Sequence, residues 1–238
     1  MKDNKIKITI ITNTILIMMV AVVLSVSFIP EKVKPIVSDN TSEVIYNGNR
    51  SNPNVSLMFN VYENTEVVNG IMQELDKRGL KATFFVGGCW ADDNEEMLKL
   101  LVQNGHEIAN HGYFHKDHKK LSYEQNYQEI RLTAEIVKSL CGVQTTLFAP
   151  PSGSFGDNTL SASKNLGYKV IMWSKDTIDW RDNSLTTIYN RATKNLVGGD
   201  LVLMHPKKHT LEVLPSIIDY YKSVGFDVVC VSQNILGT

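Results

Sequence analysis

Asn110-His111-Gly112-Tyr113-Phe114-His115 is the stretch that orders the rest of the chain. Two histidines stand four residues apart, directly after an apolar run that ends at Ala109. Imidazoles at this spacing fall on one face of a helical turn, close enough to share one metal ion. Working outward, other polar clusters also follow short apolar runs. His205 follows residues 200–204, and Asp176 and Asp179-Trp180 follow residues 168–173. Polar residues gathered at the ends of strand-like runs are the layout of an α/β active site.

The alternation around them is regular. Strand-like runs at 55–61, 81–86, 106–109, 145–148, 168–173, 200–204 and 226–231 are separated by helical periodicities. Gly79, Gly105, Gly142, Gly167 and Gly225 stand where those helices stop. Ser184 or Asn183 caps the helix that starts at Leu185. Seven strands with six intervening helices predict a parallel sheet with right-handed crossovers. Residues 60–64, after the first strand, hold no glycine, which argues against a dinucleotide-binding sheet. The polar clusters follow five different strands, and that distribution predicts a distorted (β/α) barrel with its active site at the mouth.

Composition narrows the classes. With 43% hydrophobic and 21% charged residues in 238, the chain has enough material for one domain with a large core. The formal net charge is −1, and no basic stripe interleaves with aromatics, so no nucleic-acid partner is expected. Cys89, Cys141 and Cys230 are far apart and make no CxxC, so they read as buried apolar cysteines, with one disulfide open outside the cell.

The first thirty residues differ in kind. Lys2, Lys5 and Lys7 precede an uncharged run over 8–29, long enough to cross a bilayer core. Residues 1–29 therefore read as a transmembrane anchor with the domain outside. The alternative is a signal segment cleaved after Ser27, which would leave the domain secreted. Residues 30–53, rich in Pro, Asn, Ser and Asp, read as a linker, with a short strand at Ile45-Tyr46. The catalytic or binding domain is then 54–238.

Over about 54–235 these residues resemble the polysaccharide deacetylase family, the NodB-type domains of carbohydrate esterase family 4. The pair His111 and His115 has the family's H-x-x-x-H form. Residues 149–153 align with its Arg-x-Pro-x-Gly motif, Asp179-Trp180 with its Asp-Trp, and Leu203-Met204-His205 with its Leu-x-His. The resemblance implies a distorted barrel and metal-dependent hydrolysis of N-acetyl groups on cell-wall glycan such as peptidoglycan or chitin. It implies His111 and His115 as ligands of a divalent metal, Zn or Co. It implies His205 as the acid that protonates the departing amine, with Asp179 orienting it. Trp180, Pro151, Tyr113 and Leu203 would line the substrate groove.

Three departures stand against full activity. The family's paired aspartates after the first strand, base and third ligand, are Asn60 and Val61 here, and the arginine that holds the base is Ala149. Asn60 cannot take a proton at physiological pH, and Val61 cannot bind a metal. This pattern resembles a sporulation-associated subgroup of Gram-positive bacteria. Glu63 and His118 are the nearest substitutes for the lost carboxylate and the lost ligand, though both also read as surface residues; Asp176 reads as a solvated loop carboxylate. Two functions remain open: a deacetylase of reduced or altered activity, or an inactive barrel that binds glycan during envelope or spore assembly. Ser152 and Ser154 have no histidine close in sequence, which makes a serine hydrolase a poor third.

Overall fold

A computed structural model describes Thr14, Met18, Met19 and residues 44–236. The anchor or signal expected over 1–29 and most of the expected linker lie outside the described residues. No helix among the described residues is long and apolar enough to cross a membrane.

Nine parallel strands form the domain: β1 (Val44–Ile45), β2 (Asn54–Val61), β3 (Thr83–Val86), β4 (Glu107–Asn110), β5 (Leu147–Phe148), β6 (Lys169–Ile171), β7 (Lys175–Asp176), β8 (Leu201–Met204) and β9 (Asp227–Val228). Eight α-helices accompany them among described residues 44–236: α1 (Thr65–Lys77), α2 (Gly88–Asp93), α3 (Glu95–Gln103), α4 (Tyr123–Cys141), α5 (Asp157–Asn165), α6 (Leu185–Thr193), α7 (Lys208–Ser223) and α8 (Val231–Asn234). All seven expected strands form, most of them trimmed at the ends. The strand anticipated at Ile45-Tyr46 is β1, and it pairs with β6.

The sheet runs β1-β6-β5-β4-β3-β2-β8-β7, with β9 paired to the start of β2. β1 and β7 do not pair, so the barrel anticipated from the sequence is open rather than closed. β1, β5 and β7 are only two residues long and leave too little backbone to close the ring. The sheet nevertheless curls. Ile171 near one edge shares an interior cluster with Leu201 and Leu203 near the other, together with Met58, Phe85, Ala109 and Ala149.

Alternation along β2 assigns the faces. Val55, Leu57, Phe59 and Val61 point outward into the core under the helices. Met58 points into the curl, and Asn60, two residues on, lines its mouth. Helix α4 is set by a capping box between Ser122 and Gln125 and ends at Gly142 in the left-handed conformation, φ 74°. All three cysteines are free thiols: Cys230 is buried, and Cys89 and Cys141 are half-buried.

Candidate active site

A cavity of about 530 Å³ opens at the C-terminal ends of the strands. Asn60, His111, His115, Trp180, Leu203 and His205 all line it. Six positions chosen from sequence, spread over 146 residues of chain, thus converge in one place. Tyr62, Glu63, Ser152, Trp173, Asp176, Pro206 and Lys207 complete the lining.

The two histidines meet by a route other than a helical turn. Residues after β4 form a loop in which Gly112 (φ 73°) and His115 (φ 53°) both take the left-handed conformation. A non-glycine residue there is uncommon and must be held. Glu129 on α4 holds the loop: its buried carboxylate accepts the backbone N–H of Tyr113 (2.9 Å) and of Phe114 (2.7 Å) and pairs with Lys116 Nζ (2.8 Å). The resulting ring centroids of His111 and His115 are 5.2 Å apart.

His111 is buried, and its Nδ1 lies 2.8 Å from the Ala149 carbonyl. A carbonyl only accepts, so Nδ1 carries the proton and Nε2 keeps its lone pair. Burial, and then the neighbouring His115, hold the His111 pKa well below the ordinary imidazole value. Burial lowers that of His115 as well. Both rings are therefore neutral and able to donate to a metal near neutral pH.

On the other side, Asp179 is buried and accepts three hydrogen bonds. They come from the His205 backbone N–H, His205 Nδ1 and the Thr210 hydroxyl, each at 2.7 Å. His209, in the first turn of α7, donates from Nε2 to the Asp179 carbonyl at 2.7 Å. His205 Nδ1–H is thereby directed at the carboxylate, and Nε2 is left for the cavity.

The three positions that depart from the expected motifs are also placed. The Asn60 amide oxygen is buried without a hydrogen-bond partner. Val61 is fully buried among outward-facing apolar residues and does not line the cavity. Ala149 is buried in the interior cluster. The two substitutes expected from the sequence are both engaged elsewhere. Glu63 reaches the cavity but is paired with Lys207. His118 is buried away from the cavity, its Nδ1 held 2.7 Å from Asn126 Oδ1 and its ring against Phe148.

Two substrate-groove positions fall outside the lining. Tyr113 turns its ring onto Phe114 (4.7 Å) and over Gly88, and Pro151 is buried beside Gly112. Trp180 is 55% exposed at the rim, and Trp173, which sequence reading left unassigned, forms part of the wall. The Tyr62 ring packs against His115 at a tilt of 56°, centroids 5.0 Å apart; burial and a bond to Cys89 push its pKa up to about 12, so it remains a neutral phenol.

Among the described residues, no group of three His, Cys, Asp or Glu is placed to hold a metal ion. The donors that are present, two neutral imidazoles in a cavity that water can enter, fit a divalent ion bound through two nitrogens with water completing the shell.

The model of the polysaccharide deacetylase family matches residues 47–171. YlxY of Bacillus subtilis is 35% identical over 193 residues, 80% of this chain and 60% of YlxY. This chain therefore spans less than two thirds of that relative. A peptidoglycan-N-acetylglucosamine deacetylase of Bacillus cereus is 30% identical over 185 residues, 76% of this chain and 67% of the enzyme. Among solved structures, BA3943 of Bacillus anthracis, described as a carbohydrate esterase family 4 pseudoenzyme, superposes with a TM-score of 0.80. It is 31% identical, with 83% of this chain and 70% of BA3943 covered. One mutant of BA3943 is described as having restored enzymatic activity.

Proposed function

The chain belongs to the polysaccharide deacetylase family, and on that premise we propose that it is a deacetylase of N-acetylated cell-wall glycan whose activity is reduced. The observation that carries this reading is the intact Asp179–His205 pair facing His111 and His115 across one cavity.

Each side chain has a task in amide hydrolysis. His111 and His115 would hold the metal, which when bound polarises the acetyl carbonyl and lowers the pKa of water. His205 Nε2 faces the cavity and delivers a proton to the departing amine, while Asp179 fixes the ring that does so. Trp180 and Trp173 offer apolar walls for the sugar and the acetyl methyl. At the position where the family resemblance implies the base stands Asn60, an amide that cannot take the proton from the attacking water. The lost step is general-base assistance, worth about 10²–10⁴ in rate.

Val61 favours a second reading, an inactive glycan-binding protein of envelope or spore assembly. Its side chain is part of the core and is not an empty ligand position. Acetate release from N-acetylglucosamine oligomers, measured with zinc or cobalt and with chelator, separates the two readings. Slow release that chelator and His205→Ala both abolish supports the enzyme. Glycan binding with release no faster than the uncatalysed rate supports the binding protein.

We also propose that residues 1–29 keep this domain at the outer face of the membrane. The uncharged run and the lysines before it support this. A mature protein free in the medium and starting at Phe28 would show cleavage instead.

A further inference from the structure

Lys207 and Glu63 form an ion pair on the wall of the cavity, between the loop after β8 and the loop after β2. We propose that this pair opens to receive a carboxylate on the substrate. Lys207 would then select an acidic N-acetyl amino sugar, one with a carboxylate-bearing ether next to the acetamido carbon, as in muramic acid, over a neutral one. The inference rests on the glycan-deacetylase reading above and names the substrate class for that site.

Three observations place the cation. Lys207 is two residues beyond His205, and its backbone N–H donates to the His205 carbonyl at 2.8 Å. The loop is tied across the cavity a second time, because Asn64 Nδ2 donates to the Pro206 carbonyl at 3.0 Å. Asn64 itself sits in the left-handed region, φ 59°, so the tie is built into the backbone. Lys207 is thus held beside the acid rather than swinging freely in solvent. It is the only lysine or arginine among the described residues lining the cavity, where Glu63 and Asp176 are the acidic side chains. The Asp176 carboxylate is engaged by the Ile178 backbone N–H at 2.8 Å.

Sugar chemistry supplies the rest. When His205 protonates the nitrogen on C2, the substituent on C3 is its immediate neighbour on the ring. A muramic residue carries its lactyl carboxylate there; an N-acetylglucosamine residue carries a hydroxyl. The cation that follows His205 on the same loop is placed to meet that carboxylate. α7 begins at Lys208 and runs sixteen residues, so its N-terminal end adds positive potential at the same place. The standing partner is easily exchanged. The Glu63 side chain is 57% exposed, and ion pairs that exposed contribute little to the fold. A substrate carboxylate arriving in the cavity replaces one anion by another and leaves Glu63 in water.

The test is binding of two glycan tetramers to the intact protein by calorimetry. One is the N-acetylglucosamine tetramer; the other alternates N-acetylglucosamine with N-acetylmuramic acid bearing free lactyl carboxylates. Wild type is expected to bind the acidic tetramer about fivefold more tightly, and added salt should erode the difference. Lys207→Gln should abolish the preference, so that the two tetramers bind alike. Glu63→Gln, which frees the lysine, should raise affinity for the acidic tetramer alone. Equal binding of both tetramers by wild type and both variants overturns the selectivity and leaves the glycan groove standing. A preference that survives Lys207→Gln also overturns it. If wild type and Glu63→Gln bind neither tetramer, the groove reading fails and this proposal fails with it.

Discussion

Replacing Asp179 with alanine removes the carboxylate that orients the His205 ring. Three donors lose their acceptor: the His205 backbone N–H, His205 Nδ1 and the Thr210 hydroxyl, each now at 2.7 Å. Leaving a buried donor unsatisfied costs about 1–3 kcal/mol, and bonds to a charged acceptor lie at the high end. Water entering from the adjoining cavity offsets part of this, because the His205 side chain is 23% exposed. A net loss of about 3 kcal/mol follows. For a chain of this size that is a fall in melting temperature of roughly 6–12 °C. Thr210→Val removes one bond of the three and should cost about 1 kcal/mol. Asp179→Asn keeps the shape but offers one acceptor atom in place of two, and should fall between them. Thermal unfolding followed by circular dichroism gives all three values. Asp179→Ala within about 2 °C of wild type, less than the shift from 1 kcal/mol, would refute the reasoning. Thr210→Val as costly as Asp179→Ala would show that Thr210 packs the site for reasons unrelated to the carboxylate.

Three other outcomes follow from the geometry. Glu129→Ala frees the loop that carries His115, so zinc affinity measured by titration should fall by about tenfold or more, as for outer residues that orient metal ligands; Glu129→Gln, which keeps one acceptor oxygen, should fall less. Val61→Asp puts a carboxylate among Phe59, Val86 and their neighbours and should destabilise the domain by about 2–4 kcal/mol in urea titrations with chelator present; zinc should not recover the loss, because the side chain points away from the cavity. His106 is buried, its Nε2 3.3 Å from Asp76 Oδ1, and burial lowers its pKa despite that neighbour. Below about pH 6.5 the unfolded chain takes up a proton that the folded imidazole refuses. This contribution is therefore fully present above pH 6.5 and is lost as the pH falls, and His106→Asn should flatten the decline in melting temperature between pH 7 and 5.

What the sequence disclosed follows physical lines. The runs behind β2 to β6, β8 and β9 are apolar, and a helix-stopping glycine precedes five of them, so they announce themselves. β7 is Lys175-Asp176, polar and two residues long, and it exists through backbone pairing to β8. α2 opens on Gly88 and closes on Asp92-Asp93, the reverse of a helix signature, and it went unread. The histidine pair was found for a reason that proved wrong, since a glycine-containing loop and not a helical turn brings the rings together. Barrel closure depends on how far short edge strands reach, which periodicity does not report. The residues that complete the site were hidden by distance along the chain: Glu129 follows the loop it clamps by some fifteen positions, and Lys207 meets Glu63 across 144. Trp173 ends an expected strand and was legible as a site residue only in the curl.

The central claim is that the acid half is complete and the base half is what limits turnover. Asn60 lines the cavity and Ala149 lies in the cluster beneath it, whereas Val61 does not face it. On the proposed reading, the double change Asn60→Asp with Ala149→Arg supplies a base and its partner without disturbing the outer core. Acetate release from N-acetylglucosamine oligomers at saturating zinc or cobalt is the measurement. The double variant should exceed wild type by about a hundredfold or more, and His205→Ala in that background should remove most of the gain, because groups that act as a unit are not additive. A folded, zinc-binding double variant no faster than wild type would contradict the claim.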